Sequence, residues 1–200
     1  MTTVLLACGA AGAALFVVTF LVDGATRPGY RPVYHPVSAL ALGSRGWVQT
    51  ANFVVSGLLI TAGAVGTWDA TRSWLGPLAL AVFSVSLIAS GVFRMDPMRG
   101  YPAGTPMGTP EDTSRPHALH DAFGAAVFTA LPAAALVFAF ALPGPGWTIY
   151  SLATGIACLV LLFAFSAAWE RDEPRTGLIQ RATIIVGWSW VALLCLHLSG

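Results

Sequence analysis

Residues 94–121 read RMDPMRGYPAGTPMGTPEDTSRPHALHD, and their character indicates the architecture of the chain. This stretch is a polar connection between two long apolar runs, at about residues 74–93 and 119–142. Proline and glycine recur throughout it and interrupt any continuous helix, so the two runs are separate elements. Each run reaches the length of about 20 residues that a bilayer core of about 30 Å requires. The stretch therefore predicts a loop between two transmembrane helices.

The composition of the whole chain agrees with a membrane protein. Hydrophobic residues make up 56% of the 200 residues, charged residues make up 10%, and the mean hydropathy is +0.73. These values lie outside the range of soluble proteins. Four further apolar runs have spanning length, at about residues 4–22, 47–66, 147–168 and 178–198. The sequence predicts one all-α domain over residues 1–200, a polytopic integral membrane bundle of six transmembrane helices.

The charges predict how the bundle is oriented. Long polar connections are expected at about residues 24–46, 94–116 and 169–177, all on one side of the membrane. All ten basic residues are arginines, and only Arg72 falls on the opposite side. The positive-inside rule then predicts a multi-pass protein of the cell membrane with cytoplasmic arginine-rich loops and both termini outside. The net charge of +1 gives no indication of a nucleic-acid partner.

The first connection contains an apolar piece that is too short to span a membrane, YHPVSALALG at residues 34–43. Pro36 suits the first turn of a helix, and Gly43 suits its end. We expect a short helix or a re-entrant piece at the membrane interface.

Polar side chains gather in the part of each span nearest the arginine-rich side. Such side chains are costly inside a membrane, so we expect them to line a polar vestibule that opens to that side. The expected substrate-binding residues are Gln49, Asn52, Ser90, Arg94, Gln180 and Arg181. Hydrogen bonding between helices is the alternative for Gln49, Asn52 and Ser90, and anchoring at the membrane surface is the alternative for Gln180 and Arg181.

The fourth apolar run carries the clearest candidate chemistry. His117, His120 and Asp121 are spaced i, i+3, i+4, which places them on one stripe of a helix. Two imidazoles and a carboxylate offer either metal ligands or a base with its orienting acid. Asp96 and His35, from other connections, would complete such a site. The alternative is a partly solvated helix N-terminus, at which the helix dipole favours Asp121.

Three segments carry a resemblance to a known family: HPVSALALG at residues 35–43, VFRMDP at residues 92–97 and HALHD at residues 117–121. They resemble the signature blocks of the domain-of-unknown-function 998 family, six-span membrane proteins of bacteria and archaea. The likeness covers nearly the whole chain, although Met98 follows Asp96-Pro97 where the family often has a cysteine-containing Asp-Pro-Gly block. The family more remotely resembles the Frag1-type proteins of lipid and glycolipid-anchor remodelling. Its general architecture also resembles that of the ceramidase-like hydrolases, which hold zinc with histidines and an aspartate.

We expect a membrane-embedded enzyme that acts on a lipid or another amphipathic small molecule. In one version, zinc or another divalent metal assists hydrolysis by activating water. The expected metal ligands are His117, His120 and Asp96, and the expected catalytic residues are Asp121, His35 and Ser38. One alternative is a non-enzymatic lipid-binding or accessory membrane protein. The other is a b-type haem protein, in which His35 pairs with His117 or His120 as axial ligands.

Overall fold

Six long helices form the protein in a computed structural model that describes all 200 residues. They are α1 (Thr2–Thr26), α2 (Gly46–Thr71), α3 (Leu75–Val92), α4 (Arg115–Ala141), α5 (Pro145–Glu170) and α6 (Thr176–Ser199). Each of the six is long and apolar enough to cross a membrane. The all-α architecture of six apolar helices predicted from the sequence is confirmed, and it is that of a multi-pass membrane protein.

Capping residues and turn formers extend the helices beyond the apolar runs. At the start of α4, the Ser114 hydroxyl accepts a hydrogen bond from the backbone N–H of His117, and Pro116 occupies the first turn. After α2, Arg72 adopts the left-handed conformation with φ of 52°. Gly144 precedes α5 with φ of 105°, a value that favours glycine. Because these local signals set the boundaries, α4 begins four residues before the expected Leu119.

The helices close into a ring, because each one packs on its neighbours in sequence and α6 packs on α1. The backbones of α1 and α2 approach each other closely, and a Cβ atom added to Gly9 would lie 2.8 Å from Gly63 Cα. Small residues allow such contact between membrane helices. In the core, Phe16 stacks on Trp188 with ring centroids 5.2 Å apart. Helix α5 buries only Ser151, Thr154, Gly155, Cys158 and Ala168, so it is the most peripheral helix.

The three long connections contact one another at one end of the bundle, which we call the arginine-rich end. The backbone N–H of Gly177 donates to Tyr34 O at 3.1 Å, which joins the first connection to the start of α6. Arg99 Nη2 donates to Trp169 O at 2.6 Å, which joins the connection before α4 to the end of α5. These bonds fasten the connections into a cap over the bundle.

The expected short helix of the first connection is a 3-10 helix at Val37–Ala41, preceded by Pro36 and followed by Gly43 with φ of 73°. It is buried against α1, α2 and α6 and does not lie on the surface of the bundle. Arg27 holds it there by donating to Leu40 O and Leu42 O, each at 3.1 Å.

Candidate functional site

A cavity of about 340 Å³ lies inside the arginine-rich end, and all six helices contribute to its walls. Of its 23 lining residues, 13 are hydrophobic, so its interior is mainly apolar. The exposed lining residues belong only to α4 (Asp121, Ala125) and α5 (Ser166, Glu170). The cavity therefore opens sideways between α4 and α5. Ala125 lies about 15 Å along α4 from Arg115 at 1.5 Å per residue, so the opening reaches the part of the helix that lipid would surround.

Aromatic rings form a continuous wall from the centre of the bundle to this opening. Trp188 lies innermost, and its ring centroid is 6.5 Å from that of Phe128. Phe128 lies 6.4 Å from Phe165, which in turn lies 6.0 Å from Trp169 at the end of α5. Sequence reasoning missed this wall and the α5 residues at the opening. The only available signal was the Trp169-Glu170 pair that closes the fifth apolar run.

His120 presents one ring nitrogen to the cavity. Its Nδ1 lies 2.9 Å from Ser90 O and 2.8 Å from Phe93 O, at the C-terminal end of α3. Both carbonyls can only accept, so Nδ1 carries the proton in the neutral ring and Nε2 has a free lone pair. Nε2 has no protein partner and is not among the buried unsatisfied atoms, while His120 lines the cavity. The ring is thus held in one orientation, and it also caps α3.

His117, Asp121, Asp96 and Ser114 form one hydrogen-bonded network at the edge of the cavity. His117 Nδ1 accepts from the backbone N–H of Asp96 at 2.9 Å, and His117 Nε2 lies 3.1 Å from Asp121 Oδ2. The carboxylate of Asp96 accepts from the Ser114 N–H and hydroxyl, both at 2.6 Å. These two bonds lower the pKa of Asp96. The network ties the residues after α3 to the start of α4.

The expected metal ligands His117, His120 and Asp96 do not form a ligand set. Both nitrogens of His117 and both oxygens of Asp96 already have partners in the protein, and His120 Nδ1 faces two carbonyls. No three His, Cys, Asp or Glu side chains are grouped closely enough to hold a metal ion. The arrangement does not fit the expected zinc site.

Of the expected catalytic residues His35 and Ser38, only Ser38 lies at the cavity. Ser38 lines the cavity, whereas His35 is buried beside the rings of Tyr30, Tyr34 and Tyr101 and does not line it. His35 Nδ1 accepts from the Arg31 N–H at 2.9 Å, and its Nε2 lies 3.1 Å from Arg99 O. Because both nitrogens are engaged, His35 fits neither the expected catalytic role nor that of a haem ligand. Burial lowers its pKa.

Two of the six expected substrate-binding residues, Ser90 and Gln180, line the cavity. Gln49 and Asn52 instead bond within the bundle, where Asn52 Nδ2 donates to Phe16 O at 3.1 Å. For Asn52 this geometry corresponds to the alternative interpretation, hydrogen bonding between helices, whereas Gln49 bonds only to Asn52 on the same helix. Arg94 is exposed on the loop after α3 and does not line the cavity, because the chain turns outward there.

Arg181 does not line the cavity either. Its guanidinium donates to the carbonyl of His35 at 2.9 Å, that of Gly177 at 3.0 Å and that of Pro32, and also to the Tyr30 hydroxyl. It therefore anchors the first connection against α6. Burial raises the pKa of Tyr30 to about 12. Arg181 and Tyr30 together hold the backbone that leads into the 3-10 helix.

The fold and this site define a class: a six-helix membrane bundle with an apolar cavity that opens sideways near one end. A family model described as "Protein of unknown function (DUF998)" matches residues 10–197, and the chain belongs to that family. The family resemblance of its three sequence blocks is thereby confirmed. Neither the curated proteins nor the solved structures contained a match to the chain.

Proposed function

We propose that this protein binds a lipid or another amphipathic molecule in the cavity and acts on it as a membrane-embedded enzyme. The observation that carries the proposal is the free Nε2 of His120 in the wall of an apolar cavity that opens between α4 and α5. Cavities of about 300 to 1,000 Å³ that combine an apolar lining with a few polar groups are typical ligand sites. The sideways opening gives a membrane amphiphile a direct route in.

The chemistry that suits this site is general-base catalysis of hydrolysis. His120 Nε2 takes a proton from water while the water oxygen attacks a carbonyl carbon of the substrate. The protonated ring then returns that proton to the leaving group. The carbonyls of Ser90 and Phe93 fix the orientation of the ring, because they accept from Nδ1–H. His117 and Asp121 shape the edge of the cavity beside this base.

The deciding experiment replaces His120 by asparagine. The asparagine amide reaches the position of Nδ1 and still donates to Ser90 O, but it has no atom at Nε2. We expect His120→Asn protein in nanodiscs to stay folded and bind lipid while losing turnover by about 100-fold or more, the range that general-base catalysis contributes. Turnover is measured by mass spectrometry of lipid panels incubated with the protein.

His197→Asn is the matched control for this experiment. His197 stacks on Trp147 at the opposite end of the bundle, with ring centroids 4.6 Å apart, and it does not line the cavity. Turnover should survive in this variant. Equal turnover in wild-type and His120→Asn protein would refute the role of His120 as a base.

A non-enzymatic lipid-binding protein is the second candidate. This candidate is favoured because several polar groups near the cavity already form hydrogen bonds within the protein. One example is Gln180 Oε1, which accepts from the Val37 N–H at 2.7 Å. Such a protein would retain lipid during purification and release it chemically unchanged. In that case, His120→Asn would alter neither the identity nor the amount of bound lipid.

We further propose that the arginine-rich end faces the cytoplasm. Support comes from the positive-inside rule, since only Arg72 lies at the opposite end. The test is thiol labelling of intact cells that express either Ser73→Cys or Arg175→Cys. Labelling of the cysteine at position 73 alone supports this orientation, and labelling of the cysteine at position 175 refutes it.

A further inference from the structure

The opening of the cavity carries negative charge. Asp121 of α4 and Glu170 of α5 are both exposed and both line the cavity, one on each side of the opening. Asp121 pairs with His117, whereas Glu170 forms no salt bridge with any cationic group of the protein. No arginine lines the cavity, and the chain contains no lysine. An anionic headgroup would therefore meet two carboxylates there, of which only Asp121 is paired, and no arginine.

The buried arginines of this end are occupied elsewhere. Arg27 pairs with Asp23, which also lies 2.5 Å from Arg45. Arg181 donates to backbone carbonyls, as described above. Arg99 places its guanidinium carbon 3.8 Å from the ring centroid of Trp169, behind the aromatic wall. These four arginines thus hold the cap together.

The aromatic wall adds a second attraction for positive charge. Phe165 and Trp169 line the cavity on the same helix as Ser166 and Glu170, and Phe128 faces Phe165 from α4. The faces of aromatic rings carry partial negative charge and attract ammonium groups, especially away from water. Carboxylates and aromatic side chains at one opening are a combination that recognises an alkylammonium group.

A buried polar atom deeper in the cavity wall is an independent sign of a ligand. His120 is only 7% exposed and lines the cavity, and its Nε2 atom has no hydrogen-bond partner in the protein. With the proton on Nδ1, Nε2 can accept a hydrogen bond. A polar group of the ligand beyond the headgroup would lie beside this atom.

We infer that the cavity takes a single-chain amphiphile with a cationic ammonium headgroup, held between Asp121, Glu170 and the aromatic wall, with a polar group that lies beside His120. The volume of about 340 Å³ is near the lower limit for ligand pockets, which suits one chain better than two. This inference rests on the proposed function, because it concerns the ligand of the same cavity.

The experiment compares three probes that share one alkyl chain: decyltrimethylammonium, decyl sulfate and decyl glucoside. Equilibrium binding is measured with protein in uncharged nanodiscs, and binding to protein-free nanodiscs is subtracted. We expect the ammonium probe to bind most tightly, with a preference that weakens as salt is added. Glu170→Gln and Asp121→Asn should each reduce that preference by about two- to fivefold, the effect of an exposed charge pair.

Glu173→Gln is the matched control, since Glu173 is exposed at the same end of the bundle but does not line the cavity. It should leave the preference unchanged. If decyl sulfate or decyl glucoside binds as tightly as the ammonium probe, the cationic specificity is refuted while lipid binding stands. If no probe binds above the protein-free nanodiscs, both this inference and the proposed lipid site fail. If Asp121→Asn does not fold, the Glu170→Gln variant still tests the inference. Its substitution breaks no salt bridge, so the variant should fold like the wild-type protein.

Discussion

Filling the cavity from Gly124 is the most direct test of the ligand site. Gly124 lines the cavity on α4, and a Cβ atom added there would meet no atom within 4 Å. Gly124→Leu therefore places four carbon atoms in space that the ligand would use, without a clash at its first atom. If each displaced methylene contributes about 0.8 kcal/mol, binding should weaken by about 3 kcal/mol, or roughly 100-fold.

The same substitution should not unfold the protein. Leucine is a better helix former than glycine by close to 1 kcal/mol, so the melting temperature should stay equal or rise. Gly146→Leu is the matched control, because Gly146 lies on α5 at the opposite end and a Cβ atom there also meets nothing within 4 Å. Binding is measured with the ammonium probe in nanodiscs. Unchanged binding by folded Gly124→Leu protein, or equal loss in Gly146→Leu, would contradict a ligand site in this cavity.

Asp23→Asn should destabilise the protein by about 3–5 kcal/mol in chemical unfolding, because it leaves Arg27 buried without its anion. Ser114→Ala should cost about 1 kcal/mol, because it removes the N-cap of α4. Burial lowers the pKa of His35, so the unfolded chain binds more protons than the folded protein below the ordinary pKa of about 6.5. Stability should therefore fall as the pH drops below about 6.5, and His35→Gln should reduce that slope.

Each of these predictions has a control in the chain. Asp69→Asn removes a carboxylate at the opposite end whose contact with Arg72 is exposed, so it should cost much less than Asp23→Asn. Ser44→Ala alters an exposed serine that caps no helix, so unfolding should be unchanged. A His35→Gln protein with the wild-type pH slope would show that His35 does not cause it.

Hydropathy predicted the six spans well because the free energy of burying apolar side chains in a membrane depends mainly on local composition. Helix ends were less predictable. The cap at Ser114 and the left-handed Arg72 place the ends of α4 and α2 four and five residues beyond the apolar runs, which is slightly more than one turn. The spacing of His117, His120 and Asp121 also placed these residues correctly on one stripe beside the cavity, because helical periodicity is fixed by backbone geometry.

The partners of each polar side chain were not predictable from spacing. His120 faces two carbonyls of the α3 end, and His117 joins Asp96 to Asp121. These hydrogen-bond partners depend on how the loops pack against the bundle. Local sequence patterns do not specify that packing. For the same reason, the cavity-lining residues of α5 were not predicted. In the sequence they belong to an ordinary apolar run, and only the position of α4 beside them shows that they line a cavity.

Residue order along single helices is enough to specify six apolar helices with the arginines concentrated at one end. It also specifies that the histidine stripe begins at that end. The opening between α4 and α5, and the contacts of His35 and Arg181 within the cap, depend on the packed bundle. The same is true of His120 beside an aromatic cavity, because the packing of helices distant in sequence determines which side chains share one space.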